Sequence, residues 1–369
     1  MRLVIMKKEL LNAVFAFMSI SVGAGVLALP YVFLKSGFFT ALIILLIISL
    51  VMLILYLFLG EIVLRTKGRH QLAGLAEKYL GKKGKQLMFI FSTAGIYGAL
   101  LAYTIGAGQA LNSIYNWNVN YYSIIFFTAM SLTIFYGRKI FQKTESALSM
   151  LKILFVAVIG IILITKLEIN SLLEFDIEKI YLPYGAVMFS LLAVSAIPQM
   201  GEGLRNKKIL NKAIIYAMIS TVIVYLIFTL GMIAVSDGKA ELTTTELSGI
   251  TGIIANLFAL FALSTAFIGL GYALKESLIY DYLFGKTSAW LITISVPIAL
   301  YLLDFRSFIK VIEFTGSVAG GLILLLILLM HSKAKELGNR EPEYSIPDNK
   351  FLKVILGALF VLGIILPLL

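Results

Sequence analysis

Cysteine is absent from the 369 residues, which excludes disulfides, thiolate metal centres and a cysteine nucleophile. Histidine is almost absent. His70 and His331 are the two, and both are expected in loops, so a histidine-based metal or proton-relay site at membrane depth is not expected. Charge is scarce as well. Asp, Glu, Lys and Arg make up 14% of the chain, against roughly 25% in soluble globular domains. A chain this long with so little polar surface cannot cover a water-facing sphere. Disorder is excluded by the 60% apolar content and a mean hydropathy of +0.96. No phosphate-cradling loop and no large soluble segment occurs, which disfavours an ATP-driven pump. What is present is a polytopic membrane protein. The N-terminal stretch MRLVIMKKELLNAVF runs into a span that continues past residue 30, too long for the apolar core of a signal peptide.

A membrane span needs about 20 mostly apolar residues in a helix. Eleven such runs occur, near 9–34, 38–64, 86–115, 121–137, 147–166, 183–203, 209–235, 250–280, 288–303, 308–331 and 351–368. The strand alternation of a β-barrel is not seen. The net charge of +11 would suggest nucleic acid on a soluble protein, but here the bases lie in short segments between spans. With the N-terminus cytoplasmic, 25 Lys and Arg fall inside and 6 outside. That split predicts an N-terminus in, a C-terminus out and a multi-pass protein of the plasma membrane, with the bilayer and not nucleic acid as its partner. The segment HQLAGLAEKYLGKKGK at 70–85 is too short and polar to span. Leu72, Leu75, Tyr79 and Leu80 share a helical face, predicting an amphipathic helix along the membrane surface.

Two pairs of segments point to an internal repeat. Residues 105–111 (IGAGQAL) and 268–274 (IGLGYAL) agree at five of seven positions at an offset of 163, and Pro30 and Pro198 are 168 apart. Both offsets place span n opposite span n+5. Five is odd, so the second copy would run inverted through the membrane, as in many secondary transporters.

Span 1 holds Gly23, Gly25 and Pro30 within eight residues, a poor composition for a straight helix. Backbone opened in hydrocarbon is tolerable only where it lines a cavity. There the N–H groups at the start of the next half-helix suit a carboxylate, and the freed carbonyls suit an ammonium group or sodium ion. A zwitterionic amino acid matches both. The alternative is a glycine face for close helix packing. Span 6, from Gly185 through Ser190 and Ser195 to Pro198, supplies a second break in the corresponding place, the pattern that marks a transporter site.

The run GAGVLALPYVFLKSGF resembles the first span of the amino acid/auxin permease family, within the amino acid–polyamine–organocation group. Gly23, Gly25, Val26, Leu27, Leu29, Pro30 and Gly37 carry the likeness; FSLLAVSAIPQM in span 6 and LSTAFIGLGYALKESLIYD in span 8 extend it. The resemblance implies an all-α, LeuT-like 5+5 inverted repeat with helices 1 and 6 broken. Repeat 1 would cover about 9–166, repeat 2 about 183–331, and an eleventh helix 351–368, all in one transmembrane domain over 1–369. It implies a secondary active carrier of amino acids driven by a sodium or proton gradient, without other cofactors and by default a monomer. The N–H groups of Ala24 and Gly25 would meet the substrate carboxylate. Carbonyls near Ser21 and from Phe189 and Ser190 to Ala193 would take the amine. Gly23 and Ser195 flank that site, and Tyr103 and Phe189 are candidate gates. Sodium would lie between the carbonyls of Ser19 and Val22 and the hydroxyls of Ser264 and Thr265. Many relatives have a further hydroxyl where this chain has Ala266, leaving the shell short for a hard cation, with proton coupling as the rival.

Intramembrane acids are scarce. Glu61, followed by Arg65, reads either as an interfacial residue reaching water or as a carboxylate that bonds a broken helix or carries a proton. Glu202, Lys275, Glu276 and Asp281 are expected solvated at inner ends, with a gate pair between Lys7 or Lys8 and Asp281 as a further reading. Polyamines or other organic cations are the alternative substrates. A channel would need a polar-lined pore or charge rings, and an enzyme would need paired catalytic groups at membrane depth; the spans show neither.

Overall fold

The computed structural model describes residues 2–136, 138–167 and 176–365, the side chains of 2–6, 138–149 and 177 excepted. The bases at 2, 138, 139 and 143 that enter the orientation count therefore lie outside the described side chains. Among the described residues every regular element is helical: α1 (Arg2–Ser21), α2 (Leu29–Ser36), α3 (Phe38–Leu64), α4 (Leu72–Tyr115), α5 (Val119–Tyr136), α6 (Arg138–Ile164), α7 (Leu182–Leu191), α8 (Ala196–Gly203), α9 (Leu210–Ile233), α10 (Gly249–Tyr280), α11 (Lys286–Leu302), α12 (Phe308–Phe314), α13 (Gly321–Leu337) and α14 (Lys350–Ile365).

The reason is the solvent. In hydrocarbon the backbone must bond to itself, and a helix does so within each apolar run. Seven helical stretches are long and apolar enough to cross a membrane, and the bent pair Lys7–Ser21 and Ala24–Ser36 makes an eighth. The other three expected spans coincide with the shorter helices Met150–Ile164, Lys286–Leu302 and Lys350–Ile365. The amphipathic segment at 70–85 is helical, and Leu75 and Tyr79 on its apolar face are buried. Gly81 at φ +71° kinks α4 within that segment, just past its apolar face, a left-handed conformation that a side chain would disfavour. The core runs through α1, α3, α4, α7 and α9, and α10 packs along α4.

Two basic residues are not where the sequence reading put them. Lys275 is 8% exposed, not solvated; its amine donates to the carbonyls of Ile134 (2.8 Å) and Phe135 (3.3 Å) in the last turn of α5. Carbonyls in the last turn of a helix lie at its negative end, where an ammonium is favourable. Lys152 is 4% exposed on α6. Without these two, the tally on the expected inner side is still 23 against 6. Asp281 accepts the Ser277 hydroxyl at 2.7 Å, and among the described residues no ion pair joins it to Lys7 or Lys8.

His331 and Glu61 are corrected together. His331 is not in a loop. It lies in α13, fully buried and stacked on Phe58 with ring centroids 4.1 Å apart. Glu61 is 0% exposed and does not reach water. Its Oε1 accepts from Arg65 Nε (2.8 Å), the Ser345 hydroxyl (2.9 Å) and Lys335 Nζ (2.8 Å). Its Oε2 accepts from the Ile346 N–H (2.8 Å) and meets His331 Nε2 at 3.1 Å. The periodicity of 308–331 stopped at the histidine, so nothing in the sequence indicated that α13 continues to Leu337 and carries the ring inward. One carboxylate thus ties α3 to α13 and to the connection leading to α14. Around it Tyr344 donates to Leu57 O (2.7 Å), Arg340 to Leu64 O (2.8 Å) and the Asn339 N–H to Arg65 O (3.1 Å).

Removing Glu61 leaves Arg65 and Lys335 facing each other without the shared anion. Breaking a buried ion pair from one side costs about 3–5 kcal/mol. Glu61→Ala is therefore expected to lower the thermal unfolding midpoint in detergent by several degrees, measured on purified protein.

Candidate functional site

The site forms where two helices stop and restart. After α1 the chain bends by 53° and resumes as the 3₁₀ turn Ala24–Ala28 running into α2. After α7, residues 192–195 leave the helix, with Leu192 at ψ 80°, and α8 begins at Ala196. Pro30 and Pro198 each fall in the first turn of the second half-helix, α2 and α8. Proline fits there because the first turn has no use for its missing N–H. The two breaks touch. A Cβ built on Gly25 would stand 2.6 Å from Ser190 Cα and 3.2 Å from Phe189 Cδ1, so only glycine lets the two backbones approach this closely.

The predicted substrate group is brought together. Ser21, Gly23, Ala24, Gly25, Ser190 and Ala193 are all buried at the breaks, while Phe189 and Ser195 are half-buried. Ala24 and Gly25 open the 3₁₀ turn, where N–H groups have no intrahelical acceptor. Tyr103 on α4, 6% exposed, meets Phe189 edge to face with centroids 6.4 Å apart. The two candidate gates therefore form one aromatic contact across the site.

Three groups missed in the sequence hold the opened backbone. Tyr56 on α3 donates its hydroxyl to Leu191 O and accepts the Ala193 N–H at 2.8 Å, bridging the break of span 6. Bonding a broken helix was one reading of Glu61, but Tyr56 does it, five residues or about 7.5 Å up the same helix. Tyr225 on α9 lies within 2.7 Å of Ser21 O and 2.5 Å of Ser190 O, and 3.1 Å from the Ser21 hydroxyl. Lys152 Nζ lies 3.4 Å from Ser19 O. Its signal was available, because a charge inside the run 147–166 is expensive at membrane depth. The tyrosines gave none, since an aromatic in an apolar run reads as packing.

The expected sodium group is brought together less well. The carbonyl of Ser19 faces the Lys152 ammonium. The hydroxyls of Ser264 and Thr265 turn back onto their own helix, at Leu260 O (2.7 Å), and at Phe261 O (3.1 Å) and Ala262 O (3.0 Å). Val22 is buried beside the break and its N–H bonds Met18 O at 2.7 Å. Glu61 sits apart from these four, in the α3–α13 cluster. Glu313, a further acid inside an expected span, is half-buried on α12.

Cavities open at both ends of the bundle. One of about 460 Å³ lies at the C-terminal ends of α3 and α8, walled by Lys67, Arg69, His70, Glu202, Lys207 and Arg340. Another of about 410 Å³ lies at the C-terminal end of α4, beside Gln109, Asn112, Glu241 and Thr245. Successive spans alternate in direction, so the two cavities are on opposite sides.

Two helix breaks in contact within a bundle of membrane-length helices, with a cavity at each end, fit a membrane permease. The fold agrees. The crystal structure of MhsT in complex with L-phenylalanine superposes with a TM-score of 0.68 over 97% of both chains at 14% identity, which makes the fold LeuT-like. The chain belongs to the tryptophan/tyrosine permease family, whose match spans residues 6–367. Among curated relatives, tyrosine-specific transport system 1 of Haemophilus influenzae is 24% identical, covering 94% of this chain and 92% of that one. Glutamine transporter 2 of Aliivibrio fischeri is 22% identical, covering 94% and 93%. The protein is thus a secondary amino acid transporter.

Gly25→Ala would push a methyl group into the Ser190 backbone. Overpacking of this kind costs about 1–3 kcal/mol. The initial rate of amino acid uptake is expected to fall roughly tenfold, with the amount of protein in the membrane unchanged by immunoblot.

Proposed function

We propose that the protein is a proton-coupled symporter of amino acids, aromatic ones foremost, working by alternating access about its two breaks. The observation that carries the coupling is the Lys152 ammonium at the Ser19 carbonyl. Sodium would need five or six oxygens, Ser19 O among them. An ammonium at that oxygen keeps a second cation out by charge and by volume. Unlike sodium, it can also hand on a proton when the site opens. The inward turn of the Ser264 and Thr265 hydroxyls supports the same reading.

In this scheme the substrate carboxylate bonds the N–H groups of Ala24 and Gly25, at the positive end of the half-helix Ala24–Ser36. Its ammonium bonds the carbonyls of Ser21 and Ser190. Tyr103 and Phe189 close over the side chain, and the small Ala193 leaves room. The family description and the tyrosine specificity of the Haemophilus relative support an aromatic substrate. The Aliivibrio relative keeps glutamine as a second reading.

The wider arrangement we infer is a 5+5 inverted repeat, 9–166 and 183–331, followed by the helix at 351–368. The matching places of Pro30 and Pro198 at the starts of α2 and α8 support it. With it go membership of the amino acid/auxin permease group and a monomer in the plasma membrane, its N-terminus inside and its C-terminus outside.

Uptake by proteoliposomes, screened over the amino acids, tests the proposal. An inwardly directed proton gradient should drive accumulation without sodium, and a sodium gradient alone should not. Lys152→Ala should abolish the stimulation by the proton gradient. Sodium-driven accumulation that ignores the Lys152 substitution would overturn the proton reading.

A further inference from the structure

Tyr225 belongs to neither broken helix, yet its hydroxyl is where the two breaks meet. It lies 2.7 Å from Ser21 O and 2.5 Å from Ser190 O, with the ring fully buried. A phenol carries one hydrogen, so it cannot fully serve two carbonyls at once. The Ser21 hydroxyl, 3.1 Å from the Tyr225 oxygen and 3.4 Å from Ser190 O, supplies a second. Between them, two hydrogens of the chain's own side chains face these two carbonyls, of which Ser21 O also accepts the Gly23 N–H at 2.8 Å.

These are the carbonyls assigned above to the substrate ammonium. A carbonyl left short of donors at membrane depth is unfavourable, and the backbone N–H of Gly23 serves Ser21 O alone of the two. An arriving ammonium has three N–H donors and can take both oxygens; the Tyr225 and Ser21 hydroxyls can also hold both. The two donor sets are alternatives for one pair of acceptors. A carrier with no internal donors could close around its breaks only with cargo aboard, and would trade one substrate molecule for another. A carrier with internal donors can close, and turn back, with nothing in the site.

We propose that the Tyr225 hydroxyl, seconded by Ser21, stands in for the substrate ammonium and lets the carrier re-orient unloaded, so that the protein performs net uptake and not obligatory exchange. This rests on the transport reading above and adds the mode of transport. Tyr225 is a positioning residue: it keeps the carbonyls of both breaks bonded on the return stroke and yields them to substrate on the loaded one. Lys152 guards the neighbouring Ser19 carbonyl, so Tyr225 is the donor common to both breaks.

The test compares two assays on the full-length protein in liposomes, with L-tyrosine as the labelled probe. Net uptake is measured into vesicles without internal amino acid under a proton gradient. Exchange is measured into vesicles preloaded with unlabelled L-tyrosine and without a gradient. Tyr225→Phe removes one oxygen and keeps the ring. Its ratio of net uptake to exchange should fall roughly tenfold below wild type, the size expected for one buried hydrogen bond. Ser21→Ala should shift the ratio the same way by less. Equal losses in both modes for Tyr225→Phe, or a wild-type ratio in either variant, would overturn the proposal. Wild-type protein that carries tyrosine in neither mode would instead strike at the aromatic-substrate reading on which it rests.

Discussion

Opened backbone must be satisfied inside hydrocarbon, and the rest of the structure follows from that need. Two spans interrupt their helices and release N–H and C=O groups where no water can serve them. The neighbouring helices answer with polar side chains of chosen reach: Tyr56 from α3, Tyr225 from α9 and Lys152 from α6. The positions of α3, α6 and α9 around the breaks are thereby fixed chemically as well as by packing. Because Gly25 admits Ser190 at backbone contact, the two breaks form one polar volume.

Charge is handled on the same principle. Lysine and glutamate side chains that are buried outright are matched with partners. Lys275 caps the end of α5, and Glu61 gathers Arg65, Lys335, His331, the Ser345 hydroxyl and the Ile346 N–H. The Glu61 cluster binds the end of α3 to α13 and to the connection before α14, and among the described residues the two breaks are served by uncharged groups and the ammonium of Lys152. Backbone dipoles at the breaks supply partners for both ends of a zwitterion, so the site needs few buried ions and little of their desolvation penalty.

The sequence determined the medium, the helices and the breaks. Apolar run length against bilayer thickness fixed the elements within a few residues, because in hydrocarbon the helix is the only local solution. Glycine and proline at 23, 25, 30 and 198 marked the interruptions, since their backbone chemistry is local. Ala24, Gly25, Ser190, Tyr103 and Phe189 were named from the family resemblance, and the contact between the two rings came from the structure.

What only the tertiary structure decided is which side chains serve the freed groups. A tyrosine in an apolar run has the same local signature whether it packs or bonds a distant carbonyl; Tyr56 and Leu191 are 135 apart in sequence, and Tyr225 and Ser21 are 204 apart. Lys152 read as a surface base, Lys275 as solvated and His331 as a loop residue, until helix packing set each against its partner. Whether a polar group meets water or another helix depends on contacts between distant segments. Periodicity, which reports only a helix's own faces, carries no record of those contacts.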